Sequence, residues 1–383
     1  MTAEPAFLIA ALRRALNGET ALPDADNIDW TVLLRLADAH AVIPILDIAL
    51  RDLSLPDNVA EELHSAVKRS AGWSLAQSAE LVRLADLLDK NGIPFVAVKG
   101  PLLNAYLYGD LSVRSSGDID LFVKREAVPQ MRDILASNRY PLTSTLHWNS
   151  SSACLHSRES EVSFVSPSEV SIDVHWRLLP PYFASAFDKA DVWTSLKTAT
   201  VAGRPVRILA PEPLLLFLCA HGAKHMYERL GWICDIARFL TITPDLDWNT
   251  VISWAGRAHV LRQVSLGLGL AADLLGAQAP SVLPYDPVVK TLIAVVRNRL
   301  LTGATPPVSA AESNAFALRL FERLSHRLRY LGGLYLTPSE AEYRALQLPT
   351  FLYPLYFPYR PLRLFWKHAI RRRVVHCGDA RAY

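Results

Sequence analysis

Apolar positions recur three and four apart over Ala6 to Leu16, Thr31 to His40 and Ser74 to Lys90, which predicts helices through the first ninety residues. The last of them stops at Asn91-Gly92, a helix-ending pair. The period then changes. Ile93 to Val98 is a short apolar run bounded by glycines and reads as a strand, and Pro101 to Tyr108 reads as a helix with proline in its first turn. Asp118 to Val123 reads as a second strand, backed by an amphipathic helix over Arg125 to Ser137. Val162 to Val165 and Val170 to His175 read as a hairpin joined through Ser166-Pro-Ser168. Helical spacing returns from Pro211, over Glu212 to Leu240, Thr250 to Gly256, Arg262 to Leu275, Val288 to Leu301 and Ala315 to Leu331. A proline- and tyrosine-rich segment, Pro349 to Pro361, then leads to a basic end. Strands interleaved with helices predict an α+β (α/β-like) fold built on a mixed sheet. Its division is expected at 1–90 (helical), 91–210 (mixed sheet) and 211–383 (all-helical, with a basic tail).

Composition adds limits. A chain of 383 residues can hold more than one core, and 51% hydrophobic with 20% charged residues is ordinary for a globular protein. A net charge of +3 implies no general affinity for nucleic acid, although Arg360 to Arg373 gathers six bases and no acid. Such a run reads as a solvated face packed through its aromatics, or as a binder of an anionic surface, RNA or an acidic peptide. The four cysteines are scattered and form no CxxC pair, which argues against a disulfide framework or zinc knuckle and suits a reducing cytoplasm. Cys219 and Cys234, set among apolar residues, are expected in the core. The N-terminus carries an acid where a signal peptide wants bases, and no apolar run reaches the ~20 residues of a membrane span. A cytoplasmic protein with no membrane span is expected.

Candidate chemistry centres on the second strand. Period-two alternation puts Asp118 and Asp120 on the same face, where two carboxylates repel unless a cation lies between them. Hard oxygen ligands so placed chelate divalent metal of the kind that attends nucleotide phosphates. Lys99-Gly100 precedes them at a strand end, where a glycine lets backbone approach phosphate and the next helix offers free N–H groups. Arg114, in a polar loop, is placed to clamp phosphate oxygens. Asp173 and His175 share one face of a later strand, so Asp173 supplies a third carboxylate, suited to a metal site or to acting as a general base. Each feature alone also has a plain structural reading.

Together these residues resemble the uncharacterised nucleotidyltransferase family of the DNA-polymerase-beta-like superfamily. The matching motifs are Lys99-Gly100, Leu102 to Tyr108, Arg114, Asp118-Ile-Asp-Leu-Phe-Val123 and Ile172-Asp-Val-His-Trp176, within roughly residues 75 to 240. The resemblance implies that 91–210 is a catalytic domain. Asp118, Asp120 and Asp173 would ligate two magnesium (or manganese) ions, and Lys99, Gly100 and Arg114 would face the NTP. One departure is that many superfamily members carry Gly-Ser where this chain has Lys-Gly, and reach the DxD sooner. That weakens the triphosphate assignment more than the metal assignment.

His221, His225, Glu228, Trp232 and Asp235 recur at helical steps, so one continuous helix would align them on one face. The resemblance places a similar His/His/Asp pattern after the catalytic domain. His221-Gly-Ala-Lys-His225 lacks the glutamate of a zincin. Two readings stay open: a stripe lining the active-site cleft, or histidines satisfied by Glu228 and Asp235. The expected function is metal-dependent transfer of NMP from an NTP, ATP among the candidates, to a hydroxyl of an unnamed acceptor, a small molecule, peptide or protein. A non-catalytic nucleotide- or peptide-binding partner, and an RNA-modifying transferase using the basic tail, are the alternatives.

Overall fold

The computed structural model describes residues 3–18, 21–143, 160–183, 192–279, 286–302 and 308–378. The chain opens with α1 (Ala3–Asn17), α2 (Trp30–Ala39), α3 (Ile43–Leu50) and the long α4 (Asp57–Lys90). Asp29 caps α2 by accepting from Val32 N. Only the second half of α4 was predicted. Its first half is largely exposed, with Val59 and Leu63 buried, so it shows little apolar period.

A four-stranded mixed sheet follows: β1 (Phe95–Ala97), β2 (Asp118–Val123), β3 (Glu161–Val165) and β4 (Ser171–His175), in the order β1-β2-β4-β3. β2 runs parallel to β4, while β1 and β3 are antiparallel to their neighbours. Between β1 and β2 lies α5 (Gly100–Tyr108), and α6 (Val128–Ser137) follows a short 3-10 turn after β2. The expected β3–β4 hairpin is present. A second hairpin, β5 (Leu196–Val201) with β6 (Arg204–Leu209), turns through Ala202 and Gly203, both with positive φ.

The predicted Glu212-to-Leu240 helix is two helices, α7 (Pro211–Lys224) and α8 (Leu230–Ile242). Met226 and Tyr227 between them adopt left-handed backbone, at φ 54° and 49°. That reversal carries the Tyr227 ring back against Gly222 and into full burial, where its hydroxyl donates to Cys219 O at 2.9 Å. Tertiary burial of one ring thus outweighs continuous helical propensity.

The helices α9 (Trp248–Ala258), α10 (Leu261–Leu275) and α11 (Pro287–Leu301) match their predictions closely. Ala315 to Leu331 is instead divided between α12 (Ala310–Leu320) and α13 (Leu324–Tyr335). After α14 (Glu340–Ala345) and a 3-10 turn (Thr350–Leu355), the chain ends in α15 (Tyr356–Gly378). The side chains of Arg371, Arg372, Arg373 and Cys377 lie outside the described residues, as does Cys154. Cys219 and Cys234 are fully buried, as expected. No described helix is long and apolar enough to cross a membrane.

Candidate active site

The site is built on one face of the central sheet. In the parallel β2–β4 pairing, Asp118 lies opposite Ser171, Asp120 opposite Asp173 and Phe122 opposite His175. In the antiparallel β3–β4 pairing, Glu161 lies opposite His175 and Ser163 opposite Asp173. Alternation therefore collects Asp118, Asp120, Asp173, His175 and Glu161 on one face, while Ile119, Leu121, Ile172 and Val174 point into the core.

Asp120 is the electrostatic centre. It is 1% exposed, and its Oδ1 meets Lys99 Nζ at 3.0 Å and His175 Nε2 at 2.8 Å. Burial alone would raise its pKa, but Lys99 and the His175 hydrogen bond overcome that and hold the carboxyl well below its usual range. His175 Nδ1 donates to Glu161 at 3.0 Å. Burial opposes charge on this imidazole, yet its two carboxylate partners lift its pKa to about 9. Asp118 moves the other way, up to about 6, through burial and repulsion from Asp120. Burial likewise raises Asp173, against a hydrogen bond from Ser163.

Gly100, the first residue of α5, has φ +67°, and a Cβ there would stand 2.8 Å from Asp118 O. Glycine lets the start of α5 lie against the carboxylate strand. The loop before β2 is fixed by a polar seam on α4. Ser70 pairs with Ser115 at 2.8 Å, and Trp73 Nε1 donates to Ser116 O at 3.0 Å. Gln77, in the amide orientation that satisfies both its ends, donates to Ser116 Oγ and accepts from Asp118 N. From the other side Asn104 donates to Arg114 O at 3.0 Å.

That loop presents Arg114, which is 7% exposed. Its Nε donates to both oxygens of Asp235 at 2.9 Å, and Asp235 keeps the guanidinium charged despite burial. Tyr108 adds a 3.4 Å hydrogen bond to the same carboxylate. The buried Nη1 of Arg114 has no partner among the described residues.

The sheet face opens into a cleft of about 450 Å³ whose walls include Lys99, Gly100, Arg114, Asp118, Asp120, Asp173 and His175. Across it stand His221, His225, Glu228 and Trp232. His221 Nε2 lies 3.3 Å from Lys99 Nζ, and its ring centre is 4.9 Å from His225 and 5.3 Å from Trp232. Burial and Lys99 keep His221 neutral, so its free Nε2 accepts from the lysine. Burial and Lys224 lower His225 to about 4. Of the stripe, Asp235 alone leaves the wall: it stands behind Arg114, 2% exposed.

Donor atoms of Asp120, Asp173 and His175 all lie within 4.8 Å of one another, and Asp118 is outside that group. Among the described residues, Asp120 Oδ2 and Asp173 Oδ1 are buried without partners. Two carboxylates, each with an orphaned oxygen and one of them oriented by His175, suit a divalent cation. Glu161 is not legible in the sequence because, as an exposed acid ahead of the apolar alternation, it extends β3 one residue before the expected start at Val162. Nor are Gln77 and its neighbours, because polar residues on an otherwise apolar helix do not announce a loop they hold.

The cleft thus sets an acidic sheet face against a wall of neutral histidines and an aromatic ring. Residues 26–276 match a family described as uncharacterised nucleotidyltransferases, and the chain belongs to that family of transferases. No curated protein matches. Among solved structures, the antibiotic-resistance factor ANT(2'')-Ia is 15% identical, with 60% of this chain and 95% of that one covered, at a TM-score of 0.29. An antigenic nucleotidyltransferase-like protein from Paracoccidioides brasiliensis is 17% identical, with 56% and 96% covered, at a TM-score of 0.31.

Proposed function

We propose that this enzyme moves an NMP from an NTP to a hydroxyl of a small-molecule, peptide or protein acceptor and releases pyrophosphate, in the cytoplasm. The observation that carries the reading is the β2–β4 register, which sets Asp120 beside Asp173 with one orphaned, buried oxygen on each. Asp118, Asp120 and Asp173 are the residues assigned to hold one or two magnesium or manganese ions, with His175 orienting Asp120 through its hydrogen bond. Such ions, when bound, supply positive charge against the phosphates and the departing pyrophosphate.

The rest is done by side chains and backbone. Lys99, Gly100 and the N–H groups that open α5 receive phosphate oxygens, and Arg114 offers the unpartnered Nη1. The Asp173 carboxylate takes the hydroxyl proton through the oxygen not given to a metal, as the acceptor oxygen bonds to the α-phosphorus. The bond from that phosphorus to its bridging oxygen breaks, and pyrophosphate leaves with the electron pair. His221, His225 and Trp232 close the opposite wall and restrict what enters.

Incubation with each α-labelled NTP, magnesium or manganese and cell extract should label an acceptor. Asp120→Asn and Asp173→Asn should each lower that transfer by roughly 100-fold or more, because the acids act as a unit. Undiminished transfer by both variants would sink the assignment.

A further inference from the structure

The C-terminal segment is amphipathic with its polarity reversed. At 100° per residue, Leu362, Phe365 and Trp366 fall on one side of α15, and Arg360, Arg363 and Lys367 on the other. A helix of an ordinary globular protein turns its apolar side inward. Here Arg360 is 5% exposed, pairs with the fully buried Glu342, and donates to Leu334 O at 2.8 Å. Arg363 joins the same carboxylate at 2.6 Å. This polar seam fastens α15 to the body and leaves the apolar side facing out. Phe365 and Trp366 are 70% and 64% exposed, and Phe351 and Leu355 on the preceding turn are 80% and 50% exposed. A row of bulky apolar side chains fastened outward needs a cover.

Charge selects the cover. Residues 343–378 carry seven Lys and Arg and no acid, so Glu342 offsets only one of them. A second copy of the chain would set like charge against like. Nucleic acid would answer the charge but gain little from exposed Leu355 and Leu362. An anionic lipid surface answers both features, since interfacial helices bury Trp, Phe and Leu at the headgroup boundary and draw on positive charge.

We propose that residues 351–367 form a docking surface for anionic membranes, with Phe351, Leu355, Leu362, Phe365 and Trp366 entering the headgroup boundary. The enzyme would then work at a membrane surface without spanning it. This inference is independent of the reaction proposed above.

The full chain is mixed with phosphatidylcholine vesicles, or with vesicles of phosphatidylcholine and phosphatidylglycerol, and floated on a gradient. Binding at least tenfold stronger to the anionic vesicles, weakened by salt, is expected. The Phe365→Ser/Trp366→Ser variant should lose it tenfold or more with unchanged thermal melting. Lys367→Glu, at an exposed position, should weaken it without touching the apolar row. The inference is overturned by absence of flotation, or by equal flotation with both vesicle types. Salt-sensitive RNA binding or self-association, lost in the same variants without any lipid binding, overturns it as well.

Discussion

Asp118 and Asp120 were legible because period two places them on one face whatever the rest of the chain does. Their different chemistry was not, since it depends on Lys99 and His175 reaching Asp120 alone. His175 tests this directly. Its pKa of about 9 lies above the ordinary 6.5, so in metal-free protein the imidazolium stabilises the fold fully below about pH 6.5, and that contribution fades as pH rises through 9. Histidine NMR on metal-free protein should place the His175 titration near 9, and magnesium or manganese should lower it by competing for Asp120. A titration near 6.5 in the metal-free state would contradict the ion pairs. Gly100→Ala tests the close approach of α5. The left-handed backbone and the contact with Asp118 O should together cost at least about 2 kcal/mol by urea denaturation and reduce transfer as well.

The four strands of the central sheet and most helices could be read from local sequence, because each carries its own period and its own stop signals. The break between α7 and α8 could not, as no proline marks it and its cause is the burial of Tyr227 against Gly222. The β5–β6 hairpin is also not legible, because Leu196–Val201 places its apolar residues on both faces and buries only Val201. One ion pair joins distant elements at the site: Arg114 on the loop before β2 and Asp235 on α8, both almost fully buried. Asp235→Ala should cost about 3–5 kcal/mol, since it strands a buried guanidinium, and should lower NTP affinity by displacing Arg114. Replacing both partners with apolar residues should recover much of the stability but none of the affinity, in a paired measurement by urea denaturation and nucleotide titration. Full stability in the single variant would show that the pair does not hold the loop.

At the scale of the whole molecule, a three-part division of the chain suggests a catalytic unit at 91–210 that could stand by itself. The packing argues against independence. Buried apolar residues from Phe7 to Tyr330 form one connected cluster that runs through the helices on both sides of the sheet. The N-terminal helices also bond to the C-terminal half: Arg13 Nε donates to Leu274 O at 2.7 Å, Asn17 to Leu275 O at 2.7 Å, and Gly231 N to His40 O at 3.1 Å. The site itself draws the Arg114 loop and its supporting seam from α4, and its far wall from α7 and α8. A fragment of residues 91–210 would lack Gln77 behind Asp118, Asp235 behind Arg114 and His221 beside Lys99, while exposing strands evolved for burial. It should therefore melt without a cooperative transition and bind no nucleotide. Residues 26–276, which retain all of these partners, should melt cooperatively if the sheet and both helical walls form one folding unit. Circular dichroism melting of the two fragments separates the cases, and a sharp transition in the shorter one would mean that the sheet is stable without either wall.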